Sequence, residues 1–163
     1  LLRHAKSAWD TDARTDFERP LAQRGLKAAP RIGRYMAEEG MVPDYIVSSP
    51  AERARQTVLL ACRELELDED AVHWDRRIYH AGVRALVAVL REAPATAQRV
   101  LIVGHNPGFE QLLDHLSADP VPMPDDWKLM PTAALARMEV TVPWSELGHG
   151  TARLIGLTRA RSL

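Results

Sequence analysis

The chain has 163 residues, with 21 Lys and Arg against 22 Asp and Glu and a formal net charge of −1. Apolar residues make up 46% and charged residues 26%, which excludes a disordered chain and predicts a single globular domain over residues 1–163. The near-neutral balance excludes an electrostatic footprint for nucleic acid or an anionic membrane, and no apolar run approaches the length of a spanning helix.

Cys62 is the only cysteine, so no intrachain disulfide can form and a reducing, cytoplasmic setting is expected. Leu1-Leu2 reads as the tail of a buried strand, so a few residues are expected upstream of it. Residues 6–20 form a charged loop, long enough to suggest a role at a site. Helical spacing begins near Leu21, with Leu26, Ile32 and Met36 on one face. Gly25 and Pro30 are expected to break or kink this helix, and Gly40 to end it.

Tyr45-Ile46-Val47 is a short apolar strand. Ser49 is expected to cap the helix that follows, with Pro50 and Glu52 in its first turn. A weak strand falls near residues 71–74, and a helix over Val83–Arg91 presents Leu86, Val87 and Leu90. Val100-Leu101-Ile102-Val103 is apolar throughout, as in the centre of a parallel sheet covered on both faces. Gly104-His105-Asn106-Pro107-Gly108 turns into a helix carrying Phe109, Leu112, Leu113 and Leu116. The proline-rich stretch 119–131 reads as an extended loop over one edge. Two late strands near 133–142 and 151–158, with Gly148 and Gly150 between them, alternate imperfectly. The whole reads as a three-layer α/β/α sandwich with a mostly parallel central sheet and an antiparallel edge.

His4 and His105 each follow an apolar strand, and Arg53 lies in the first turn of the helix after a third. In open α/β sheets ligands bind beyond the carboxyl ends of the strands, so Arg3, His4, Arg53 and His105 can converge there. Two guanidiniums, two imidazoles and a helix start suit a small dianion, phosphate above all. A neutral imidazole whose other nitrogen is held by an acceptor can attack phosphorus and form a phosphohistidine that water then cleaves. Arginines and a second imidazole can balance the charge without a metal or cofactor. No His-Glu-x-x-His or Cys-x-x-Cys spacing offers a metal site.

Arg3-His4-Ala5 resembles the Arg-His-Gly signature of the histidine phosphatase superfamily, which includes the phosphoglycerate mutases. Ser49-Pro50-Ala51-Glu52-Arg53-Ala54-Arg55-Gln56-Thr57 and Gly104-His105-Asn106-Pro107 resemble its second and third motifs. The short chain, Arg3-His4-Ala5-Lys6-Ser7 and Arg19-Pro20-Leu21 are most similar to the SixA-type phosphohistidine phosphatases. The resemblance implies a phosphoglycerate mutase-like fold, His4 as nucleophile, Arg3 and Arg53 on phosphate, and His105 on the transferring group. Arg19, Asn106 and His80 are further candidates for substrate contact. Ala5 replaces the usual glycine, which is harmless if its φ stays negative.

Larger relatives carry an acidic proton donor where this chain reads Asp75-Arg76-Arg77-Ile78-Tyr79-His80. Asp75 and His80 are the local candidates. A weak or absent acid suits the P–N bond of phosphohistidine better than an alkyl ester, for which general acid catalysis is worth about 10²–10⁴-fold. The expected partner is a phosphorylated protein or a small phosphorylated compound. The alternatives are a general phosphomonoesterase and a phosphate-binding regulatory module without turnover.

Overall fold

The computed structural model describes residues 1–163. Its regular elements, in chain order, are β1 (Leu2–Arg3), α1 (Gln23–Glu38), β2 (Tyr45–Ser48), α2 (Glu52–Glu64), β3 (Val72–Trp74), α3 (Val83–Arg91), β4 (Val100–Gly104), α4 (Gly108–Leu116), β5 (Ala134–Val140) and β6 (Ala152–Arg159). The strands form one six-stranded sheet in the order β3-β2-β4-β1-β5-β6. β3, β2, β4 and β1 run parallel, while β5 and β6 add the antiparallel edge. No helix is long and apolar enough to cross a membrane.

Alternation along the parallel strands explains the three layers. Ile46, Leu101 and Val103 join Leu2 in a core that takes in Ala29, Ile32, Ala54 and Val58 from α1 and α2. The intervening Val47 and Ile102 face a second core with Leu86, Leu90, Phe109 and Leu112 from α3 and α4. A strand buried on both faces has no use for polar residues, which is why β4 is the plainest strand in the sequence. The imperfect alternation of the late strands also has a cause. The β5–β6 register shifts between Arg137 and Met138, so the pattern changes phase midway.

Four expectations are corrected. Pro30 does not break α1, which runs unbroken through it. The missing N–H falls opposite the carbonyl of half-exposed Leu26, and burial of Ala29, Ile32 and Met36 on both sides of Pro30 keeps the helix formed. Gly25 is no breaker either. A Cβ there would lie 2.2 Å from the Lys6 carbonyl oxygen, so the glycine admits the loop that follows His4. Leu21 precedes the helix and bridges to Ser7, and Leu26 turns outward. Finally, Ser49 does not cap α2. Its Oγ accepts the Ala51 N–H at 3.2 Å in a turn one step earlier, and Ala51 is the N-cap residue.

Candidate active site

The parallel strands end together and deliver the predicted residues to one rim. The His4 N–H donates to the Gly104 carbonyl at 3.0 Å, and the Ser49 N–H donates to that of Val103 at 2.9 Å. β4 thus fastens the ends of β1 and β2 on either side of itself. From the antiparallel edge, the Ala133 N–H donates to the His4 carbonyl at 3.0 Å. Ala133 holds a left-handed φ of 58°, a strained conformation for alanine that this contact helps to fix.

His4 and His105 are buried, and their ring centroids lie 5.1 Å apart. His4 Nδ1 lies 2.7 Å from the Ala5 carbonyl oxygen. A carbonyl only accepts, so Nδ1 carries the proton and Nε2 keeps its lone pair. The Ala5 N–H in turn donates to Thr57 Oγ1 at 3.0 Å, and Thr57 donates to the Arg53 carbonyl at 2.7 Å. The second motif therefore braces the turn that orients His4. Ala5 keeps a negative φ and is fully buried, so the methyl group is accommodated.

Burial pushes the His4 imidazole down to about 4, and Arg53, Arg3 and Arg19 push it the same way. His105 is driven down to about 3 by burial, then by His4 and Arg53. Both rings are neutral at pH 7. Four buried polar atoms have no protein partner: Arg3 Nε, Arg53 Nε, His105 Nδ1 and Asn106 Oδ1. Three of the four belong to the residues expected to hold phosphate, and buried donors left open point to a missing acceptor.

Arg3 and Arg53 are anchored from behind. Arg3 Nη1 donates to the Met130 carbonyl at 3.0 Å. Asn106 Nδ2 shares that carbonyl at 2.8 Å and reaches Glu110 Oε1 at 3.1 Å. The 119–131 loop is therefore more than an edge covering, because its buried end at Leu129 and Met130 positions Arg3. Arg53 is buried and donates through Nη1 to the Asp16 carbonyl at 2.8 Å and through Nη2 to Asp16 Oδ2 at 3.0 Å.

Asp16 is the residue that sequence reasoning missed. Its carboxylate also accepts from Tyr79 Oη at 2.6 Å and from Arg19 Nε at 3.1 Å. The Tyr79 bond, with Arg53 and Arg19, holds this carboxyl far below the usual range. Arg19 donates to Ser7 Oγ as well, and its guanidinium stacks 3.7 Å from the Trp9 ring centroid. It joins the site through Asp16. His80 stands at the rim, exposed, with Nε2 3.9 Å from Asp16 Oδ2 and its ring 4.0 Å from that of Tyr79. Asp75 is not gathered in. Its carboxylate is taken up by Arg77 at 2.7 Å, and that guanidinium pairs with Glu92 too.

Buried Arg53, half-buried Arg3 and two neutral imidazoles meet at the carboxyl rim of a parallel sheet, a set of groups whose chemistry suits an oxyanion in an α/β protein. Comparison with known proteins narrows this. Residues 1–78 match the family model of the histidine phosphatase superfamily (branch 1). An uncharacterised protein of Mycobacterium tuberculosis is 29% identical over 159 residues, covering 95% of this chain and 97% of the relative. A candidate phosphohistidine phosphatase SixA from Nakamurella multipartitia superposes with a TM-score of 0.84 at 27% identity, over 98% of this chain and 93% of its own. Its counterpart from Agrobacterium tumefaciens gives 0.76 at 29% identity, over 97% and 94%. The similarities of this chain fall on the histidine phosphatase superfamily and, over the whole fold, on its SixA-type members.

Proposed function

We propose that the protein is a phosphohistidine phosphatase working through a covalent intermediate on His4. The observation that carries this reading is the His4 Nδ1 contact with the Ala5 carbonyl, which leaves Nε2 as a neutral nucleophile beside two open guanidinium Nε donors. The Nε2 lone pair attacks phosphorus and the P–N bond of the substrate breaks. The departing imidazole keeps the electron pair of that bond. Water then attacks phospho-His4, the new P–N bond breaks, and inorganic phosphate leaves with His4 restored. Arg3 and Arg53 hold the equatorial oxygens through both steps, in a site that uses no metal.

The choice of leaving group rests on the acids around the pocket. Asp16 is held ionised, so it has no proton to give. Asp75 is engaged by Arg77. An alkoxide leaving group needs a proton at the moment of departure, whereas an imidazole does not need one to the same degree. The substrate is then a protein or a small compound carrying phosphohistidine, met in the cytoplasm, where Cys62 stays a thiol.

The deciding measurement is phosphate release from phosphohistidine against a panel of phosphate monoesters. Preference for phosphohistidine by orders of magnitude supports the reading, and turnover of esters alone sinks it. One observation favours a broader phosphomonoesterase: the imidazole of exposed His80 stands at the rim, 3.9 Å from Asp16. If His80→Ala removes ester hydrolysis and spares phosphohistidine turnover, that second activity is real.

A further inference from the structure

The hydrogen bonds around Ser49 fix a proton that the distances alone leave unassigned. Ser49 is fully buried, with His105 Nε2 2.7 Å from its Oγ. The same Oγ already accepts the Ala51 N–H at 3.2 Å. A hydroxyl has one proton to donate, and a buried one needs an acceptor. The Ser49 hydroxyl has no acceptor other than His105 Nε2.

If Nε2 carried a proton, it and the Ser49 proton would face each other across 2.7 Å. One of them would be a buried donor with no acceptor, a cost of about 1–3 kcal/mol. Nε2 is therefore the acceptor. His105 is neutral, so its single ring proton sits on Nδ1. Nδ1 is one of the buried atoms with no protein partner, on a ring packed 5.1 Å from that of His4.

We infer that Ser49 is a positioning residue that sets the tautomer of His105, so that the neutral ring presents Nδ1–H to an oxygen of the phosphoryl group in transfer. This rests on the reading of His105 as a phosphoryl ligand. It assigns Ser49, the first residue of the second motif, a task on the third. The two histidines then carry their protons on the same nitrogen for opposite ends. His4 Nδ1–H points back to the Ala5 carbonyl so that Nε2 can attack. His105 Nε2 is filled by Ser49 so that Nδ1 can donate. A neutral donor also leaves the charge balance to Arg3 and Arg53.

The test uses ¹⁵N-labelled full chain at pH 7, with ring resonances assigned by comparison with His105→Gln. The wild type is expected to show a protonated Nδ1 and an unprotonated Nε2 at His105. Ser49→Ala removes the donor, so the ring proton is expected on Nε2, with kcat down about 10²-fold, the size of losing one oxyanion donor. Inorganic phosphate titrated into the wild type should shift the His105 Nδ1 resonance, and should do so far less in the variant. Ser49→Thr, which keeps the hydroxyl, should restore the wild-type tautomer. Thermal unfolding of both variants controls for loss of fold.

A wild-type ring protonated at Nε2 overturns the inference, as does Ser49→Ala with an unchanged tautomer. A switched tautomer with unchanged kcat overturns it too, because Nδ1–H would then serve nothing. If the wild type hydrolyses no phosphoryl compound, the phosphatase reading fails by itself. The wild-type tautomer and the phosphate titration still decide this inference.

Discussion

Asp16 grips Arg53 twice, through its backbone carbonyl at 2.8 Å and its carboxylate at 3.0 Å. The arginine lies in the first turn of α2, and the aspartate comes from the charged loop that follows His4. That carboxylate also takes Tyr79 and Arg19, so one loop residue aligns the proposed phosphate-binding arginine with two parts of the rim. Because Asp16 is held ionised, it acts by positioning and not by giving a proton. Asp16→Asn keeps the backbone contact and loses the ionic one. It should lower kcat/KM about 10-fold on phosphohistidine and on any ester alike. A selective loss on esters would instead make Asp16 a proton donor. Rates on the two substrate types, measured side by side, tell these apart.

His4→Ala should remove at least about 10³-fold of the activity, the scale on which nucleophile loss is felt. No acid-labile phosphate should then be trapped on the protein, and the unfolding transition should move little. Quenched-flow trapping and a thermal melt check both parts. Retention of wild-type turnover would falsify the covalent mechanism.

The acid limb of kcat/KM should not appear at the ordinary histidine value of about 6.5. His4 is neutral down to about 4, so the enzyme's own limb belongs there. Any break near pH 6 comes from the second ionisation of the substrate phosphoryl group. A pH profile on two substrates with different phosphoryl ionisations separates the two: a limb that moves with substrate is not His4.

Stability carries the same signature with a definite sign. The folded values of His4 and His105, about 4 and about 3, lie below the unfolded value. Between these values the unfolded chain binds more protons. Both groups therefore stabilise the fold fully above about pH 6.5, and that contribution is lost as pH falls toward 4 and 3. Urea midpoints should drop between pH 7 and pH 4.5. His105→Gln should flatten that drop, and a slope unaltered by the substitution would assign it to other groups.

Gly25→Ala should cost about 1–3 kcal/mol, since its methyl would overlap the Lys6 carbonyl and the loop would have to move. Lys6 is two residues from His4, so turnover should fall with stability. Denaturant unfolding and kcat on the same sample test the coupling. A stable variant with reduced turnover would mean that the loop, not the helix, gives way.

The parts of the candidate site whose placement was legible in the sequence are those fixed by local chemistry. His4 and His105 follow apolar strands, and the sheet must bring such strand ends to one rim. β4 was legible because burial on two faces leaves no polar residue in it. Asp16 was not, because the loop also holds Asp10 and Asp12, and only the folded path selects one of the three. Its spacing from Arg19, with which it forms an i,i+3 pair, was the available hint. Ser49 was legible as a residue and misread as a cap, since a serine before Pro50 has the same local pattern whether it faces a helix end or a histidine 56 residues on. Pro30 failed as a breaker because tertiary burial outweighs one lost hydrogen bond.

β4 lies between β2 and β1, although it follows both in the chain. During synthesis, His4 and Arg53 emerge early and have no sheet to join them. The strand that does so comes only after residue 100, and the Ala133 contact with the His4 carbonyl comes later still. An unfinished chain thus carries the proposed nucleophile without the pocket, and on that reading a phosphoryl group cannot be captured until most of the polypeptide is present. The order of insertion makes the activity a property of the completed sheet, silent in any fragment that ends before β4.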